Sequence, residues 1–186
     1  MQVAGLLAGA IALLLLAVAI SYNRFVRQRQ LVDNAWSNID TELRRRYDLI
    51  PNLVRTVQGY AAHERDTLAA VVEARHAAVE ASGDVSEQEG PEKVLVRSLR
   101  SLMALAEAYP DLKADRHFLE LQGELAVTED RIQAARRLFN GDVRDYNRRV
   151  ESVPSNVVAL LGGFRRRAYF ELEPAIRDAE PPRVET

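Results

Sequence analysis

The chain has no cysteine, so disulfide scaffolds, thiolate metal sites and thiol nucleophiles are excluded together. Histidine is nearly as scarce. His63, His76 and His117 are the three copies, and no two of them stand four apart, as a helical zinc motif requires. The single E-x-x-H, Glu73 to His76, has no counterpart that a facing helix would need to supply for a carboxylate-bridged metal pair. A phosphate-binding loop, a nucleophile elbow and a dinucleotide fingerprint are also missing. The net charge of -2 lacks the basic excess of a nucleic-acid binder. The expectations are no enzyme, no cofactor, no metal and no nucleic acid.

Charge is also absent from the first 23 residues. From Val3 to Ile20 every side chain is apolar or small, and roughly 20 such residues in a helix cover a hydrocarbon layer of roughly 30 Å. A cleaved signal peptide competes, because Ala17-Val18-Ala19 resembles a cleavage site, but the basic n-region is missing and the apolar run is long for an h-region. Residues 1–22 are therefore read as a transmembrane anchor that meets the bilayer through residues 3–20. Arg24, Arg27 and Arg29 follow it directly. The positive-inside bias then places the short N-terminus outside and the rest of the chain in the cytoplasm. Tyr22, Arg24 and Arg27 fall at the level of lipid head groups and are candidate lipid contacts.

Beyond the anchor the apolar residues repeat at steps of three and four, the period of a helix with one buried face. One seam runs through Trp36, Ile39, Leu43, position 46/47, Ile50, Leu53, Val57 and Tyr60, and extends to about Ala81. Ser82 to Pro91 reads as a solvated acidic loop. Leu95, Leu99, Leu102, Ala106 and Tyr109 form a further seam, ended by Pro110. After a short turn, in which Asp115 caps the next helix, a seam from Phe118 to Val153 implies a helix of about 36 residues and roughly 55 Å. Pro154 stops it. Ser155 caps a short apolar turn that Gly162 and Gly163 end.

The expected fold is all-α: a transmembrane helix followed by an antiparallel up-and-down bundle of about four helices. Residues 23–170 form the bundle, and residues 171–186 are read as a disordered tail.

The stretch RRRYDLIPNLV, residues 44–54, places three arginines and a proline inside one of these seams. Two geometries fit. Asp48 can cap a new helix with Pro51 in its first turn, making a hairpin, or a single helix can run through with a kink. The apolar phase favours the kink, and the length of an unbroken helix favours the hairpin. The hairpin or a sharp break is the preferred reading. Arg44, Arg45, Arg46, Tyr47, Asp48 and Asn52 then form a basic corner. The bland account is a helix end paired with Glu42; the functional one is a surface for a protein partner or lipid head groups. A second triplet, Arg165, Arg166 and Arg167, follows an apolar stretch and is a candidate contact with anionic lipid.

The segments at residues 22–64, 102–132 and 144–164, with NAWS, RRRYDLIPNLV, AEAYPDLKA and PSN in that order, resemble the LemA family of bacterial membrane proteins. Phe139-Asn140-Gly141 and Ser152-Val153 depart slightly from the usual pattern. The resemblance implies an N-terminal membrane helix, a cytoplasmic helical bundle and no established catalytic activity, with links to envelope homeostasis and, in one branch, to magnetosome membrane formation. The functional expectation is a single-pass scaffold or adaptor of the bacterial envelope, acting on an unidentified protein partner. The alternative is a self-associating membrane organiser, a homo-oligomer that contacts anionic lipid.

Overall fold

The computed structural model describes residues 2–81, 83 and 85–172. Among these residues there is no strand, and the all-α bundle expected from the seams is the fold. Four longer helices, α1 (Gln2–Tyr60), α2 (Arg65–Glu80), α3 (Val85–Glu107) and α5 (Arg116–Glu151), are joined by the single turn α4 (Pro110–Lys113) and followed by α6 (Ser155–Leu161). The chain divides into two compact units, Met1–Ser37 with Arg137–Tyr169, and Asn38–Arg136 with Phe170–Thr186. Helices α1 and α5 each contribute to both.

In the unit containing Asn38–Arg136, most side chains of the apolar seams are buried, although Tyr60 is 43 % exposed. Ile39, Leu43, Ile50, Leu53 and Val57 of α1 are buried, as are Leu68 and Val71 of α2, Leu95, Leu99 and Leu102 of α3, and Phe118, Leu121, Leu125 and Ile132 of α5. Helix α2 packs on α3, which also meets α4. Asp115 starts α5 as expected, its Oδ1 accepting a 2.8 Å bond from the Phe118 N–H. That bond, with a second from the Tyr60 hydroxyl at 2.9 Å, holds the Asp115 carboxyl below its ordinary pKa.

Three expectations are corrected here. Helix α1 passes unbroken through Pro51, so there is no hairpin at Asp48. The length argument for a hairpin took the helix from Tyr22 on to Ala81, whereas α1 ends at Tyr60; the apolar window near its N-terminus is fully exposed, with a mean hydropathy of 2.8. The reversal comes later, at Ala61–Glu64, inside the seam expected to continue to about Ala81. The loop expected from Ser82 to Pro91 is helical from Val85 onward, with Pro91 inside α3. Gln88 and Glu92, a turn apart, face inward there, so the inner face of this segment is polar and escapes an apolar count.

In the other unit, Phe25, Val32 and Ala35 of α1 are buried, as are Phe139, Val143 and Tyr146 of α5 and Val158 and Ala159 of α6. Helix α5 ends at Glu151, close to the expected stop at Pro154. Ser155 does not cap α6. Its hydroxyl oxygen instead stands 2.8 Å from the carbonyl oxygens of both Arg149 and Ser152 and shares its one proton between them, which ties α6 back to the end of α5. Gly163 closes α6 with φ 70°, a conformation that costs other residues roughly 1–2 kcal/mol. Of the expected tail, Glu171 and Leu172 are described, and Leu172 is buried. The remainder, residues 173–186, lies outside the described residues.

Candidate functional site

The proline in RRRYDLIPNLV leaves the carbonyl of Tyr47 without its usual helical donor, because Pro51 has no N–H to offer it. Arg75 of α2 takes that place, its Nε donating to the Tyr47 oxygen at 2.7 Å. The unbroken helix is thus maintained by a side chain 28 residues away in sequence.

The arginine triplet is split by the helix period. Arg44 and Arg45 are exposed, and Arg44 pairs with Asp40 one turn back at 2.8 Å. Arg46 is fully buried. Its guanidinium donates to Glu92 Oε2 and, at 3.0 Å, to Glu129 Oε2. Tyr47 is buried beside it and donates to the other Glu92 oxygen. Gln88 Nε2 closes the cluster with bonds to the Tyr47 hydroxyl at 2.8 Å, the Ala78 carbonyl at 2.9 Å and Glu92 Oε1 at 3.1 Å. Burial, then the negative charge of Glu92, raises the Tyr47 pKa well above that of a free tyrosine.

Arg46 and Tyr47 therefore leave the expected partner-binding corner, because their polar groups are already used inside the bundle. Arg44, Arg45, Asp48 and Asn52 remain exposed. Sequence reasoning missed Arg75, Gln88, Glu92 and Glu129. The available signal was polar residues paired at i and i+4 on the inward phase, Gln88 with Glu92 and Glu129 with Gln133, the second pair bonded at 3.0 Å.

The other unit holds the candidate lipid contacts. Tyr22 packs edge-on against Phe164 with centroids 5.4 Å apart, and Phe25 stacks on the same ring at 4.8 Å. Arg29 lies over that ring, its guanidinium 5.7 Å from the centroid. Phe164 thus anchors the chain after α6 to α1, and Gly162 is small because a Cβ there would stand 2.6 Å from the Phe164 ring. Asn147 then fixes the segment that follows. Its Oδ1 accepts from the Arg167 N–H at 2.8 Å, and its Nδ2 donates to the Arg167 carbonyl at 2.9 Å. Arg24, Arg27, Arg165, Arg166 and Arg167 are all exposed. Arg166 pairs with Glu151 and Arg167 with Asp33, each at 3.0 Å.

The outer face of α6 is apolar. Val157, Leu160 and Leu161 recur there at steps of three and one and are 56 %, 82 % and 81 % exposed, and Val153, in the turn before α6, is 81 % exposed. In water an arrangement of this kind forgoes roughly 1.5–3 kcal/mol per large side chain. A cleft of about 670 Å³ lies between α6 and α1, with Leu14, Ala17 and Val18 on its α1 side. Among the described residues, no group of three or more histidine, aspartate or glutamate side chains is placed to hold a metal.

Comparison with known proteins gives the chain's relatives. The magnetosome protein MamQ of Magnetospirillum gryphiswaldense is 29 % identical over 83 % of this chain and 66 % of its own length. A MamQ of Paramagnetospirillum magneticum is 28 % identical over the same shares. Protein LemA of Metamycoplasma hominis is 28 % identical over 74 % of this chain and 63 % of its own length. The chain thus spans slightly less than two thirds of the length of these curated relatives. The profile of the LemA family matches residues 35–185, and the chain belongs to that family.

Proposed function

We propose that the protein is a membrane-anchored helical scaffold that acts by contact rather than by chemistry, and that its main contact is with the bilayer. The observation that carries this reading is the exposed apolar stripe of α6 beside a helix long enough to cross a membrane. Two apolar surfaces on one unit, one of membrane-spanning length and one short, suit an anchor and an interfacial foot. Arg24, Arg27 and Arg165 supply positive charge of the kind that favours anionic head groups, about 1 kcal/mol each near such a surface, and Arg166 and Arg167, paired to Glu151 and Asp33, contribute less. The N-terminus lies outside and the bundle in the bacterial cytoplasm in this reading, and copies of the bundle associate. The magnetosome named for the MamQ relatives fits a job in shaping or organising a membrane.

The absence of cysteine permits single labels. The full chain carrying Leu160→Cys with a fluorescent label is reconstituted in vesicles that hold a lipid-borne quencher. Strong quenching is expected there, and little at a Ser101→Cys label on the exposed face of α3. Quenching at Leu160 by an aqueous quencher alone would refute the reading.

A second reading, an adaptor for a protein partner, is favoured by the exposed residues of α1. Arg45 and Leu49 line a hollow of about 300 Å³ with Glu124, Val127 and Arg131 of α5. A cross-linked partner captured in native membranes, and lost in a folded Arg44→Glu/Arg45→Glu variant, distinguishes it from the first.

A further inference from the structure

We infer that the cleft between α1 and α6 binds one molecule of an anionic phospholipid, with an acyl chain in the cleft and the phosphate between Arg24 and Arg149. This deepens the bilayer contact proposed above and rests on it. The volume, about 670 Å³, falls within the roughly 300–1,000 Å³ of sites that hold small ligands. Its chemistry is graded. On α1 the lining changes from Leu14, Ala17 and Val18 to Ser21 and Arg24, over roughly 15 Å of helix. Val157 and Val158 form the facing apolar wall.

Arg149 lines the same cleft and belongs at its cationic end. Its Nε donates to Gln28 Oε1 at 2.7 Å, and Gln28 is one helical turn beyond Arg24. That bond orients the guanidinium and uses one of its donors, leaving the two Nη groups to face a ligand. Two guanidinium groups at the end of an apolar slot complement a phosphate with a hydrocarbon chain attached. The occupant is lipid because one wall of the slot is the membrane-crossing stretch of α1, so acyl chains are the apolar groups at hand. An anionic head group is selected over phosphatidylcholine, whose trimethylammonium would be brought toward two like charges.

The test uses delipidated full-length protein in detergent, titrated with phosphatidylglycerol or phosphatidylcholine and followed by native mass spectrometry. One retained phosphatidylglycerol is expected, at least tenfold preferred over phosphatidylcholine. Arg24→Gln/Arg149→Gln is expected to abolish the preference. Val18→Trp fills the slot without touching the Arg149–Gln28 bond and is expected to abolish retention, while Arg116→Gln/Arg137→Gln, which removes the same charge elsewhere, leaves it unchanged. Helicity by circular dichroism confirms that each variant is folded. Equal retention of both lipids, or retention that survives Val18→Trp, would overturn the inference. The Leu160 label separates the two levels: quenching in the bilayer without selective retention removes the lipid site alone, and loss of quenching removes the bilayer contact on which it rests.

Discussion

Replacing Arg46 by methionine isolates the energetic role of the buried cluster. Arg46 and Glu92 are fully buried and Glu129 nearly so, and the one guanidinium bridges both carboxylates. Methionine keeps the volume of the aliphatic stem but leaves two carboxylates facing each other in the interior. Removing one partner of a buried pair costs about 3–5 kcal/mol, because the remaining charge is uncompensated. In a protein of this size about 1 kcal/mol moves the melting temperature by about 2–4 °C, so a fall of roughly 6–20 °C is expected. Urea unfolding of the full chain in detergent, read by far-ultraviolet circular dichroism, measures the loss. Hydrogen exchange in peptides from α3 should localise it.

The companion variant, Arg46→Met/Glu92→Leu/Glu129→Leu, should recover most of that stability. The native cluster leaves Arg46 Nε and Gln88 Oε1 without partners, and Gln88 Oε1 can accept the Tyr47 hydroxyl once Glu92 is gone. A single-variant loss below about 1 kcal/mol, or a triple variant no better than the single, would refute the reasoning.

Two further outcomes follow from the same geometry. Arg75→Ala should cost about 1.5–3 kcal/mol, as expected for a hydrogen bond from a charged donor. In a Pro51→Ala background that restores the backbone donor the cost should fall by at least about 1 kcal/mol, and a double-mutant cycle without coupling would reject the assignment. Asp115 has a folded pKa below its unfolded one, so its contribution is present above the ordinary value of 3.8 and is lost as pH falls through the lower folded value. The stability difference between wild type and Asp115→Asn should hold steady from neutral pH to about pH 5 and shrink below pH 4. A difference that grows on acidification would contradict the cap.

What the sequence made legible is what repeats. The seams of α1, α3 and α5 were readable because their buried faces are mostly apolar at helical spacing, and the anchor was readable because Val3–Ile20 carries no charge. Asp115 was identifiable as a cap from its place before the Phe118 seam. Other features failed for physical reasons specific to each. Pro51 signals a break only if its orphaned carbonyl stays unsatisfied, and the donor that rescues it is on another helix. The turn at Ala61–Glu64 carries no proline and no glycine, so it looks like helix. Gln88 and Glu92 looked solvated because polar residues were counted as outward-facing, although they lie in phase with Leu95 and Leu99. The outer stripe of α6 was seen as an apolar stretch, but which half faces outward depends on the packing of Val158 and Ala159.

The arginines show why charge alone was a poor guide to this chain. Counted as charges, Arg44 to Arg46 and Arg165 to Arg167 are two equivalent basic patches. Considered as forks of donors, they differ at every position. Arg46 bridges two carboxylates in the interior, Arg44 answers Asp40 on its own helix, and Arg166 and Arg167 are paired across the chain to Glu151 and Asp33. The paired ones hold the fold and have less to offer a ligand. A guanidinium is planar and presents several donors in fixed directions, so its role follows from how many acceptors the fold has already placed around it. By that criterion Arg149, held by one bond at Nε and lining a cleft with Arg24, keeps donors for an anion, although it belongs to neither triplet.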